Sequence, residues 1–268
     1  MNYLKKLVSQ IAVMLLAFNS PPLLASSING GGMILNINST DLAAAFTWDV
    51  NPDRPSFYVE EYFDSTQASI RTSSELLNDH IVTGAEEISG IGRQFTVNSS
   101  ITTGLNKAND FSFDANDLTG TASGAIGLGG AMRFRLNNTF SVDPVTGEEL
   151  GNRAITGYYS LEYDAIRVST TEGRSGWAVY NHHSYRASIF DLTNVATTLT
   201  GESLTLSGDL SLAEAFNHMG GDFGSIVGDF SFQTTVVPVP AAVWLFASAL
   251  TGLGFVNRRK RHLQVSHV

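Results

Sequence analysis

The chain has 268 residues, a formal charge of −9 and no cysteine. That length supplies a core for one large all-β domain or two small ones without a cofactor to hold it together, and the missing cysteine excludes a disulfide framework, thiol catalysis and Cys-ligated metal. All 25 Asp and Glu fall between Asp41 and Asp229 with only 10 of the 16 Lys and Arg, so the body stands near −15 while both ends are purely basic; a body this acidic repels nucleic acid, and no nucleic-acid partner is expected.

The first 26 residues, ending "LLAS", run from Lys5 and Lys6 through an apolar stretch from Leu7 to Phe18 to small residues around Ala25 and Ser26. Basic end, apolar middle and small-residue exit are the order of a secretory signal peptide. The alternative is an uncleaved N-terminal anchor, and either one takes the body out of the cytoplasm.

Residues 27–235 are dominated by period two. "SLTLSGDLSL" puts Leu204, Leu206, Leu210 and Leu212 on one face and Ser203, Thr205, Ser207, Asp209 and Ser211 on the other, with Gly208 as a turn or kink. "FSFQTTV" repeats the alternation at Phe230 and Phe232, as do Phe134 and Leu136, then Tyr159, Leu161 and Tyr163, then Trp177 and Val179. Turn-rich stretches at 51–55, 143–152 and 171–176 separate these runs. The expected fold is all-β, an antiparallel β-sandwich or jelly roll, with minor helices over 74–82 and 210–218. Three similar fragments, "NDFSF", "GDLSL" and "GDFSF", lack a fixed period and read as turn-to-strand starts rather than repeats.

Candidate chemistry in the body is sparse. Glu60 with Glu61, Glu86 with Glu87 and Glu148 with Glu149 are acidic pairs, but neighbours on a strand point to opposite faces, so none converges as glycoside hydrolysis requires. His182, His183 and His218 could ligate a metal, yet the same alternation lets only one of the adjacent two face a common site. Asp110, Asp114, Asn116 and Asp117 in "NDFSFDANDLTG" are the hard-oxygen set that calcium prefers; they lack EF-hand spacing, and Asx turns explain them equally. The glycines of "GTASGAIGLGGAMRF" have neither the Gly-Lys-Ser ending nor the strand-to-helix setting of a phosphate loop and suit close backbone packing. Trp48, Tyr58, Trp177, Tyr180 and Tyr185 are aromatics available for stacking on sugars, so a carbohydrate-binding module is one alternative function and an exported hydrolase another.

The tail, 236–268, breaks the pattern. No charge occurs from Ala241 to Val256, and then Arg258, Arg259, Lys260 and Arg261 follow at once. As a helix, 241–256 reaches about 24 Å against a hydrocarbon core of about 30 Å, and starting at Val236 extends it to about 31 Å with Pro238 and Pro240 in the first turn. A transmembrane helix stopped by cations that stay cytoplasmic orients the body outward.

"VPVPAAVWLFASALTGLGFVNRRK" resembles the C-terminal sorting tail of PEP-CTERM proteins: a Pro-x-Pro motif, one apolar helix and a basic cluster, in that order. The resemblance implies a motif at Val237, Pro238, Val239, Pro240, Ala241 and Ala242, with Val239 where the eponymous pattern has Glu, and a basic stop at Arg258 to Arg261. It implies an exosortase as the partner that reads the tail, a membrane as its setting, and a Gram-negative cell surface or extracellular matrix associated with exopolysaccharide or biofilm. It implies nothing about catalysis by the body, for which no enzymatic activity is expected.

Overall fold

The computed structural model describes residues 25–47, 53, 55–79, 87–99, 106–142 and 149–238. Among the described residues there are ten strands, of which β5, β6, β7, β9 and β10 carry the expected period-two runs: β1 (Ala25–Ile37), β2 (Phe57–Phe63), β3 (Arg93–Val97), β4 (Ser112–Asp114), β5 (Ile126–Val142), β6 (Glu149–Tyr163), β7 (Arg174–Asn181), β8 (Ala187–Leu199), β9 (Ser203–Leu212) and β10 (Ile226–Pro238). Five short α-helices and one 3-10 turn (Ala165–Arg167) punctuate the described residues: α1 (Ser39–Ala44), α2 (Ser65–Ser69), α3 (Ser73–Asn78), α4 (Leu118–Thr121) and α5 (Glu214–Asn217). Two of these carry full capping boxes, Asp64 with Gln67 on α2 and Thr72 with Glu75 on α3, which fix helices too short to persist alone.

The sandwich expectation is corrected. The strands pair in the order β10-β9-β8-β7-β6-β5-β3-β1, and β1 pairs back to β10, closing an eight-stranded barrel. Every pair with a described register is antiparallel. Closure depends on a seam between residues almost 200 positions apart. Asn38 N–H donates to the Val227 carbonyl at 2.9 Å, Asn36 Nδ2 to Asp229 Oδ1 at 2.7 Å, and the Thr234 hydroxyl to the Gly30 carbonyl. Gly31 makes the approach possible: at φ +96° it sits where a Cβ would lie 2.2 Å from the Gln233 carbonyl oxygen.

The long β5 serves two partners on one edge. Its start pairs with β3 at Leu128 and Gly129, and its middle pairs with β2 from Ala131 to Leu136. The change of partner falls at Gly130, whose φ of +130° brings the backbone against the Phe95 ring.

The inward faces fill the lumen. Met33, Phe95, Phe134, Tyr159, Trp177, Phe190, Phe230 and Phe232 are each under 2 % exposed, as expected for a barrel of this strand number, whose interior is about as wide as its own side chains. One mouth is plugged by Phe46, after α1, and Phe216, on α5: Phe46 stacks on Phe57 at 4.0 Å, and Phe216 meets Phe46, Phe57, Phe134 and Phe190 within 6.1 Å. Towards the other mouth, Phe111 packs on Trp177 at 5.6 Å beside Phe113. Outward faces are polar, as Ser203, Thr205 and Ser207 on β9 and Asp229, Ser231 and Gln233 on β10 show. This is the reverse of the apolar outer band of a membrane barrel.

Among the described residues no helix is long and apolar enough to cross a membrane. Residues 1–24 of the expected signal peptide and the apolar segment 241–256 lie outside the described residues, as do Val239 to Ala242 of the motif and the basic stop; Ala25 and Ser26, the last two residues of the expected signal peptide, open β1. The body's compact unit spans Ser27–Val237. Strand β10 therefore continues past residue 235 and takes in Val237 and Pro238, the first two residues of the motif.

Candidate functional site

A lumen filled with rings leaves the outside of the barrel as the place for chemistry, and two polar clusters lie there under partial cover. The first centres on Glu60. A bulge between Val59 and Glu61 in the β2–β5 register breaks the alternation, so both carboxylates reach Arg133, Glu60 at 2.6 Å and Glu61 at 3.9 Å. The expectation that this pair diverges is therefore corrected. Glu60 is also hydrogen-bonded by Arg135 and by Arg153, at 2.9 Å from Arg153 Nη2. Arg133 spans onward to the carbonyls of Leu76 and Asp79 at the end of α3. Burial pushes the Glu60 carboxyl up, but the Arg153 hydrogen bond and the charges of Arg133, Arg135 and Arg153 outweigh it and hold the group below its ordinary value.

With Glu60 3 % and Glu61 0 % exposed, the cluster fastens α3 to the barrel through Arg133. Glu87 is exposed elsewhere; Glu86 and Glu148 lie outside the described residues.

The second cluster lies across β6, β7 and β8. The register pairs Ser160 with Tyr180 and Tyr180 with Ser188, which brings Ser160, Glu162, His182 and Arg186 together. The Ser160 hydroxyl donates to Glu162 Oε1 at 2.6 Å and contacts His182 Nε2 at 2.8 Å, and Arg186 Nη2 donates to Glu162 Oε2 at 2.6 Å. Burial alone would raise the Glu162 pKa, but hydrogen bonds from His182, Arg186 and Ser160 bring it down to about 2.

Serine, histidine and a carboxylate within reach of one another invite comparison with a catalytic triad, and the geometry argues against it. In a triad the carboxylate holds the nitrogen far from the serine; here Glu162 accepts the hydrogen bond of the serine hydroxyl itself and lies 3.8 Å from the same Nε2. Ser160 is also wholly buried. The cluster continues through Tyr180, whose ring lies under the Arg186 guanidinium at 4.0 Å, to Arg167, which binds Asp191 at 2.8 Å. Asp191 is also 3.7 Å from Arg174, which reaches Glu172 at 2.6 Å. Beyond Arg174 an open cleft of about 350 Å³ is lined by Glu172, Ser211, Asp222 and Phe223.

Other candidates are dispersed. His183 turns away from His182: it stacks on Tyr158 at 5.8 Å, its Nδ1 meets Ser184, and burial lowers its pKa. His218 lies at the end of α5. The oxygen-rich stretch serves its own backbone. Asp114 Oδ1 accepts from Asn116 N–H at 2.8 Å, Asp117 caps α4 through Gly120 N–H at 3.0 Å, and Asp110 accepts from Ala125 N–H at 2.7 Å. Among the described residues no three His, Asp or Glu gather as a metal site. Of the aromatics expected to stack on sugars, Tyr58, Trp177 and Tyr180 are at most 5 % exposed, Tyr185 is exposed, and Trp48 lies outside the described residues.

Comparison of the chain with family models, curated proteins and solved structures finds no match in any of the three.

Proposed function

We propose that this chain is an exported, membrane-tethered protein of a Gram-negative cell envelope, sorted through its C-terminal tail by an exosortase and displayed at the cell surface or in the extracellular matrix. Its role there is structural or adhesive, in contact with extracellular polysaccharide, and not catalytic. The observation that carries the reading is the order of the tail, Pro238-Val239-Pro240, then an uncharged run to Val256, then Arg258 to Arg261. A closed barrel with an apolar lumen and a hydroxyl- and carboxylate-bearing exterior supports it, because such a body is stable in water and carries no requirement for a cofactor. A hydrolase would need carboxylates or a serine that substrate can reach, whereas Glu60, Glu61 and Ser160 are buried.

The test is mass spectrometry of the C-terminal peptide in cells with and without a functional exosortase. The peptide beyond Ala241 is expected to disappear from the mature protein only when the enzyme is present. Its persistence in both would overturn the processing, and full-length protein dissolved in the cytosol would overturn the export.

A further inference from the structure

Four residues on the outer face of the barrel differ from their neighbours. The register pairs Arg174 with Thr193 and Asp191 with Ser211, and directly opposed residues share a face, so all four stand with the polar exterior series of β9. Asp191, Thr193 and Ser211 are nevertheless buried. Asp191 Oδ1 takes the Arg167 guanidinium at 2.8 Å, while Asp191 Oδ2, the Thr193 hydroxyl and Arg174 Nε are buried without a hydrogen-bond partner among the described residues. An acceptor, a donor and a hydroxyl left unpaired on neighbouring positions are costly, and they mark a place where a polar ligand is stabilising.

The open cleft of about 350 Å³ lies against this group, with Arg174 and Ser211 in its lining. Its other wall is the turn 222–225, which is firmly held. Ser225 N–H donates to the Asp222 carbonyl at 3.1 Å, Gly224 N–H to Leu212 at 3.0 Å and Asp222 N–H to Ala45 at 2.7 Å. Gly224, at φ +87°, supplies the positive φ that the third position of such a turn requires. The second position is Phe223, 36 % exposed, with the Arg174 guanidinium 5.5 Å from its ring centroid. The cleft therefore joins an aromatic rim on a fixed turn to a floor of unpaired polar atoms.

We propose that this cleft binds a sugar unit of an uncharged polysaccharide. The proposal rests on the polysaccharide contact in the reading above and gives that contact a place. A sugar hydroxyl both donates and accepts, so one entering beside Arg174, with a small shift of that side chain, answers Arg174 Nε and Asp191 Oδ2 together. The C–H face of the ring rests on Phe223, and the carboxylates of Glu172 and Asp222 accept further hydroxyls at the rim. The volume is near the lower end of ligand clefts, about 300 Å³, and suits a single ring. Charge selects against acidic sugars. Glu172, Asp191 and Asp222 stand against Arg167 and Arg174, and Glu214 adds a fourth carboxylate 3.9 Å from Arg167, so a uronate or sulfate group meets net repulsion. A bare cation is repelled by the Arg174 guanidinium at the centre.

The test is calorimetric titration of the full chain, purified in a polyoxyethylene detergent because a sugar detergent would compete. The probes are neutral gluco-, manno- and galacto-oligosaccharides, with polygalacturonate as the acidic comparison. At least one neutral probe is expected to bind and polygalacturonate is not. Phe223→Ala is expected to weaken that binding roughly tenfold and Glu172→Gln several-fold, with melting temperatures nearly unchanged because both side chains are exposed. Tyr185→Ala, which removes the exposed aromatic of the β7–β8 connection, is expected to leave binding as it was. Binding that survives Phe223→Ala and Glu172→Gln, or that is lost with Tyr185→Ala alone, overturns the cleft and leaves the polysaccharide contact standing. Binding of polygalacturonate as tight as that of the neutral probes overturns the charge selection. No binding of any probe overturns the cleft and the polysaccharide contact together, while sorting through the tail is decided separately by the C-terminal peptide.

Discussion

Glu60 holds three guanidinium groups with one carboxylate, and the balance between desolvation and pairing decides what its loss does. Replacing it with glutamine keeps the shape but leaves Arg133, Arg135 and Arg153 with one buried counter-charge fewer. Removal of one partner from a buried ionic cluster costs about 3 to 5 kcal/mol, and Glu60→Gln is expected to fall in that range by urea denaturation. Two other residues give stability a pH dependence with distinguishable windows. The His183 pKa is lowered in the folded state, so as pH falls the unfolded chain takes up that proton first. Its contribution is full above the unfolded value near 6.5 and declines below it. Glu162, brought down to about 2, contributes fully above the unfolded value near 4.3 and loses that contribution as pH falls towards 2. Melting temperatures measured from pH 8 to 2 should decline in two steps, with His183→Phe removing the upper one and Glu162→Gln shrinking the lower, to which the lowered Glu60 carboxyl also contributes. A single step unchanged by either variant would show that other groups set the profile.

At the scale of elements, the closing seam rests on Gly31. Gly31→Ala places a methyl group against the Gln233 carbonyl at a φ that disfavours side chains, and opening the β1–β10 pair is expected to cost roughly 2 to 4 kcal/mol. A lowered denaturation midpoint together with faster amide exchange in β1 and β10 is the expected result; an unchanged exchange pattern would mean the seam tolerates the methyl. The same seam explains what was legible beforehand. Alternation located β9 and the middle of β10, because a half-buried strand writes its faces directly into the chain, but it missed the start of β10 at Ile226, and the helix expected over 210–218 begins only at Glu214, since Leu210 to Leu212 belong to β9. It could not distinguish a sandwich from a barrel, since both bury one face of every strand; only the pairing of Asn36 with Asp229 and of Gly30 with Thr234 closes the ring. Gly208, read as a turn or kink, sits inside β9 opposite the irregularity between Thr193 and Ala196. The polar clusters were hidden for a related reason. Glu60 and Glu61 share Arg133 through a bulge, and Ser160, Glu162 and Arg186 meet through a register that no local pattern specifies.

For the whole molecule, the question is where the body stops and the address begins. A boundary after residue 235 would leave Val236 and Val237 to the tail, whereas packing gives Val236 to the core and ends the strand at Pro238. The two boundaries differ in a measurable quantity. Residues 27–238 retain the Val236 side chain and its hydrogen bond to Glu202, while residues 27–235 lose both, a difference of about 2 to 3 kcal/mol from one buried aliphatic group and one backbone bond. Urea denaturation of the two chains should therefore place 27–238 clearly above 27–235. Equal stabilities would assign Val236 to Pro238 to the tail and restore an expected span of about 31 Å.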